Sequence, residues 1–263
     1  MAAGDAVLLS EPSPGVRLIT LNRPRVRNAM TEEMTAAWAG VMASLAADRD
    51  VRVAVVTGAG SSFCSGADLS WLDQAASRDV THVRLRERML PFYRTWLTPL
   101  DLPFPVIAAV NGPVVGAGVC LALACDLRYA SPAARFSTPF IYLGTHGGMA
   151  ATWLLPEAIG GSRAREMLYT GLEVGAERAQ EWGLVGGVAD DVLAHTLKVA
   201  ERVAGAAPIA TKLTKAGLRQ SAHGLEAALE WEALAQPVTM TTSDLHEGIE
   251  AQRQHRPPEF RDE

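Results

Sequence analysis

Residues 105–131 read PVIAAVNGPVVGAGVCLALACDLRYAS, and the course of the chain is decided there. Residues 106–110 are an apolar, partly β-branched run stopped by Asn111-Gly112-Pro113, the pattern of a buried strand that ends in a turn. After Val114 and Val115 come Gly116-Ala117-Gly118 and then residues 119–124, a small-residue segment suited to a tightly packed helix. The first N–H groups of such a helix have no partner within it. With the helix dipole they can hold a phosphate, a carboxylate or the oxyanion of a polarised carbonyl. Glycines between a strand and a helix also serve simply to let backbones pack closely. A nucleotide phosphate cradle is not supported, because the loop lacks the third glycine and downstream acid of a dinucleotide site and no GxxxxGK[ST] occurs in the chain.

An earlier segment repeats the arrangement. Residues 53–69 read VAVVTGAGSSFCSGADL, an apolar strand running into Gly58 and Gly60 and then Phe63-Cys64-Ser65-Gly66-Ala67-Asp68. Two strand ends, each followed by a glycine-containing turn, can converge to give one N–H donor apiece to a single oxygen. On these residues the chain resembles the crotonase (enoyl-CoA hydratase/isomerase) superfamily. FCSGAD at 63–68 is similar to its first signature, AAVNGPVVGAGVCLALACD at 108–126 to its second, and LNRPRVRNAM at 21–30 to a third, in the family's order.

The resemblance covers nearly the whole chain and implies an α/β fold. Residues 1–205 are expected as a crotonase-like spiral of ββα repeats holding the CoA and oxyanion site, and residues 206–263 as a C-terminal helical trimerisation module. It further implies an acyl-CoA thioester-processing enzyme of fatty acid metabolism, of the lyase or isomerase class, assembled as a homotrimer or dimer of trimers. CoA would be part of the substrate, and no separate cofactor or metal is expected. Laid on the family pattern, the two donors to an enolate oxygen are the N–H groups of Ala67 and Ala117, with Gly66, Asp68, Leu69 and Gly116 around them. Arg25, Arg27 and, near the C-terminus, Arg256 fall where positive charge would meet the phosphates of CoA. They are equally readable as surface arginines.

The departures from the family matter as much. The hydratases' two glutamates align with Cys120 and Phe140, of which one is a thiol in an apolar helix and the other has no acid–base chemistry. A further acid used by some relatives aligns near Gly148. His146, between Thr145 and Gly147, is the titratable group left near the acyl end and is the candidate catalytic residue, ahead of Tyr142 and Asp68. The chain therefore reads as a thioester enzyme with a replaced acid–base set, using His146 or water for hydration, isomerisation, decarboxylation or hydrolysis. The alternative is a non-catalytic acyl-CoA-binding protein.

Composition narrows the rest. A chain of 263 residues, 48% hydrophobic and 20% charged, is an ordinary globular protein and not a disordered one. A net charge of -5 without a dense basic stripe leaves no footprint for nucleic acid. Cys64, Cys120 and Cys125 have no metal-ligand spacing and suit buried thiols in a reducing compartment. With no leader-like start and no apolar run long enough to span a bilayer, the cytoplasm is the expected location and no membrane partner is expected.

In order, residues 7–10 and 16–22 suggest a hairpin, and Thr31 caps a helix marked by Met34, Trp38, Val41, Met42 and Leu45. One or two helices with an arginine-rich solvated face border the cleft between residues 68 and 102. Helices follow to residue 159, from a Ser162 cap to 170, and over 176–182, with a last strand at 184–188. From residue 191 the chain is helical, broken near 206–208, 223–224 and 236–237.

Overall fold

The structure is a computed structural model and describes residues 6–68, 81–221 and 224–261. Strands β1 (Val7–Ser13) and β2 (Val16–Leu21) form the antiparallel hairpin, with Gly15 in the left-handed region at its turn. Helix α1 (Glu32–Ala47) begins where Thr31 accepts the Met34 N–H, and it buries Met34, Trp38, Met42 and Leu45. Strands β3 (Val53–Gly58), β4 (Val106–Val110) and β6 (Leu127–Ala130) add in parallel, giving a five-stranded sheet in the order β1-β2-β3-β4-β6.

Every residue of β3 and β4 is buried, as expected of parallel strands covered on both faces. Because side chains alternate, Ala54, Val56, Ala108 and Val110 join Trp38, Trp96 and Phe136 in the main core, while Val53, Val55, Ile107 and Ala109 point the other way. That second face is closed by α7 (Val192–Ala204) through Val192, Ala200 and Ala204. Helix α2 (His82–Trp96) packs on α1 through a stack of Trp96 on Trp38, ring centroids 5.0 Å apart.

Between β4 and β6 lie β5 (Val114–Val115) and α3 (Ala117–Ala124), all eight residues of which are buried. Strand β5 pairs with β7 (Arg135–Ser137), and β7 with β8 (Val174–Gly175), in a three-stranded sheet. Helices α4 (Ala151–Ile159), α5 (Gly161–Thr170) and α6 (Ala176–Glu181) follow. The chain ends in α8 (Pro208–Ser221), α9 (Leu225–Met240) and α10 (Ser243–Gln254). Lys215 of α8 ties this helical part to the sheet: its buried ammonium donates to Pro99 O, Phe104 O and Asp126 Oδ2, each at 2.9 Å.

Four local expectations need correction. Residues 184–188 are not a strand; Val188 makes an isolated bridge to Ala130, and the last strand is β8. Ser162 is not a cap, because α5 already starts at Gly161 after Gly160, without a side-chain cap bond. Pro237 does not break the helix but sits inside α9, which runs on to Met240. The third motif, expected from the resemblance to open as a helix, holds only a 3-10 turn, Pro24–Val26. Of the residues read as bordering the cleft, Leu69, Trp71 and Asp73 lie outside the described residues.

Candidate oxyanion site

The two glycine turns are laced together before any side chain is considered. Phe63 N–H donates to Pro113 O (3.1 Å) and Val115 N–H to Cys64 O (3.0 Å), while Cys64 bridges Val114. Gly118 packs against the same strand end, since a Cβ there would stand 2.4 Å from Cys64 O. Gly66 has φ +85°, and a Cβ on it would be 2.5 Å from Val115 O and 3.1 Å from Ala117 N. Only glycine tolerates both the left-handed backbone and that approach.

Two asparagines hold the first turn from beneath. Asn28, fully buried at φ 54°, donates its amide to Ala59 O, Ser62 O and Phe63 O and accepts the Arg23 N–H. Asn111 accepts the Gly58 N–H (3.1 Å) and donates to Gly60 O (2.9 Å). In the sequence Asn111 marks only the turn that stops a strand, and Asn28 only a place in the third motif. Asparagine is the residue type, after glycine, that most readily takes a left-handed backbone, so a signal was present at position 28.

Above these supports, Met30 N–H donates to Gly66 O (2.8 Å), which fixes the peptide leading to Ala67. Ala117 is the first residue of α3, behind Gly116 at φ 55°. Among the described residues neither the Ala67 nor the Ala117 N–H has an acceptor. Both residues line one cavity of about 600 Å³, together with Arg25, Arg27, Asp68, Gly116 and Phe140. Its volume is that of a small-molecule site. A second cavity, about 340 Å³, meets the first at Ala67 and Asp68 and is walled by α1 and α2 through Thr35, Phe92 and Thr95.

The remaining expected residues are distributed differently. Cys120 is fully buried, donates its thiol to Gly148 O at 3.6 Å, and is pushed up to about 12 by burial. It is a neutral thiol behind the site. His146 is exposed and lines a neighbouring cavity with Thr152, Pro156 and Arg165. Phe140 lies between the two: one edge of its ring, Cε1, faces Gly116 and the opposite edge, Cδ2, faces Gly147. Arg256 is not brought to Arg25 and Arg27 as a lining residue. It pairs with Glu247 through both guanidinium ends, at 2.6 and 2.9 Å, and holds that carboxyl down to about 2. Among the described residues no group of three or more His, Cys, Asp or Glu is placed to hold a metal ion, and no helix is long and apolar enough to cross a membrane.

Comparison with known proteins fits this geometry. The model of the enoyl-CoA hydratase/isomerase family matches residues 11–263. A probable enoyl-CoA hydratase of Mycobacterium tuberculosis is 42% identical over 235 residues, covering 89% of this chain and 90% of that protein. An (E)-benzylidenesuccinyl-CoA hydratase of Thauera aromatica is 37% identical over 256 residues, 95% of this chain and 97% of its own. The crystal structure of an enoyl-CoA hydratase from Bacillus anthracis superposes with a TM-score of 0.91 at 31% identity, over 98% of this chain and 100% of that one.

Proposed function

We propose, for a chain that belongs to the enoyl-CoA hydratase/isomerase family, that it binds the acyl-CoA thioester carbonyl at the Ala67 and Ala117 N–H groups and stabilises the enolate formed there. The observation that carries this reading is the pair of acceptor-free amides on two interlocked turns, opening on one cavity. An enolate oxygen in such a pocket gains most from donors fixed in advance, and one lost donor costs about 3–4 kcal/mol of transition-state stabilisation. Arg25 and Arg27, at the same cavity, would take the phosphates of CoA, with no cofactor beyond the substrate's own CoA.

The acid–base set is a replaced one in this reading. A neutral, buried Cys120 and a phenylalanine at 140 transfer no proton, which leaves water in the cavity, or His146 if its ring swings past Phe140. That pair of replacements also favours a second reading, a protein that binds the thioester without turning it over. Both readings place the protein in the cytoplasm, where its three buried cysteines stay as thiols. Both also take residues 206–263 as the module of a trimer or a dimer of trimers, covering Leu218, Leu225 and Leu234, each at least 70% exposed in the single chain.

Calorimetric titration with butyryl-CoA and with free CoA tests the site, and turnover of crotonyl-CoA separates the two readings. The thioester should bind the tighter of the two, and hydration should run well below about 10 per second. Equal affinities would remove the oxyanion assignment, and turnover at an ordinary enzymatic rate would require an acid–base pair other than the one described.

A further inference from the structure

The thioester chemistry makes no use of the walls of the cavity beside the oxyanion site, and those walls differ in kind from that site's. The cavity encloses about 460 Å³ among the turn that carries Phe140, helix α4 and helix α5, the size of a small-molecule site. Among the described residues Phe140 alone lines both cavities, and its ring fills the interval from Gly116 to Gly147. Neither Ala67 nor Ala117 reaches the second cavity, so an occupant there is held by that cavity's own residues.

Those residues sort into an apolar floor and a basic rim. Ala164 is buried and Pro156, Leu168 and Phe140 are half-buried, all of them facing the cavity. Arg165 and His146 line it as well, whereas no aspartate or glutamate does, although Glu157 and Glu166 stand on the same two helices. Among the described residues neither the Arg165 nor the His146 side chain is paired with a carboxylate. The Arg165 guanidinium folds back over the first turn of α5, since a Cβ on Gly161 would stand 3.2 Å from its Nη1. It is thereby held at the cavity and not extended into water.

We propose that this second cavity binds a small free carboxylic acid with an apolar body, its carboxylate on Arg165 and His146 and its body on Pro156, Ala164 and Leu168. A surface arginine gains little from a carboxylate alone. Here the guanidinium fork matches both oxygens of one carboxylate, the His146 ring offers an N–H donor in either charge state, and the floor draws the body of the acid out of water. An inorganic anion has no use for the floor, and a neutral apolar molecule none for Arg165. The acid is a free one and not the far end of an acyl chain, because the Phe140 ring occupies the place where the two cavities adjoin. The inference does not depend on the oxyanion reading.

Calorimetric titration with benzoate and with benzamide, which has nearly its shape without its charge, tests the site on the full chain, with and without butyryl-CoA, and on Arg165→Gln. Benzoate should bind at least about tenfold more tightly than benzamide, the worth of one charge-assisted hydrogen bond. Butyryl-CoA should leave that affinity within about twofold, and Arg165→Gln should bring benzoate down to benzamide. Arg165 is exposed on α5, so its replacement removes no buried contact and leaves the fold in place. Equal binding of the two probes by the parent, or a preference kept in Arg165→Gln, overturns the proposal. Displacement of benzoate by butyryl-CoA also overturns it, by assigning the acid to Arg25 and Arg27. Adipyl-CoA and hexanoyl-CoA decide where the carboxylate comes from. They should bind alike, and a preference for adipyl-CoA that Arg165→Gln removes would overturn the free acid in favour of an acyl chain that reaches past Phe140. Failure of the oxyanion reading looks different: butyryl-CoA would bind no better than free CoA while the preference for benzoate over benzamide stands.

Discussion

Gly66 approaches Ala117 so closely that a methyl on Gly66 would stand 3.1 Å from the Ala117 amide nitrogen. The turn after β3 and the turn before α3 are therefore one object, and the donors at Ala67 and Ala117 keep a fixed separation because the peptides carrying them are in contact. Gly66→Ala tests this directly. It places a side chain at φ +85° and drives it to 2.5 Å from Val115 O, so we expect a loss on the order of 2–4 kcal/mol in stability. The preference for butyryl-CoA over CoA should fall with it. A variant with parental denaturant midpoint and parental preference would show that the turns are not coupled.

Asn28 is expected to be as sensitive although it touches neither donor. Asn28→Ala removes the donor to the carbonyls of Ala59, Ser62 and Phe63, of which Ser62 O keeps only a 3.5 Å bond from the Asn111 amide, and leaves alanine at φ 54°. Unsatisfied buried acceptors cost about 1–3 kcal/mol each and the left-handed backbone adds about 1 more, so a destabilisation of about 3 kcal/mol or above should be seen in urea. A shift under about 1 kcal/mol would mean that the turn holds itself.

His146→Ala separates position from residue type. A base has to reach the reacting carbon directly or through one water, and His146 lines a cavity that neither Ala67 nor Ala117 lines, with the Phe140 ring between Gly147 and Gly116. Turnover on whichever thioester proves active should change by less than about threefold, against about 10²- to 10⁴-fold for a positioned base. A loss of a hundredfold with unchanged thioester affinity would show that the loop carries His146 inward during the reaction.

The Glu247–Arg256 pair gives the C-terminal tail a dependence on acid. Arg256, together with the Glu259 N–H, holds the Glu247 carboxyl at about 2 where 4.5 is its ordinary value. A folded value lower than the unfolded one means the stabilisation is fully present above pH 4.5 and is lost as pH falls from 4.5 towards 2. The melting-temperature difference between the parent and Glu247→Gln should therefore be constant above pH 5 and close below 4.5. Salt should shrink it wherever the pair is charged, since both side chains still reach solvent. A difference as large at pH 2.5 as at pH 7 would assign it to packing instead of charge.

The letters themselves determined the strand-turn-helix units at residues 53–68 and 105–124, because apolar runs stopped by glycine and asparagine admit few other conformations. They determined the Thr31 cap and the buried stripe of α1 for the same local reason, one turn of helix being enough to read them. The order of three motifs sufficed for the family, and the identity of residues 120 and 140 for the absence of carboxylates there. Tertiary structure decided what depended on distant parts of the chain. That Pro237 stays within α9, that Phe140 sits between Gly147 and Gly116, and that Arg256 answers to Glu247 are set by neighbours that helical periodicity does not encode. Tyr93 is the clearest case. Its hydroxyl fills the space before Gly148 from a helix 55 residues away in sequence, and no local pattern relates the two, because what joins them is the approach of α2 to the segment that precedes α4.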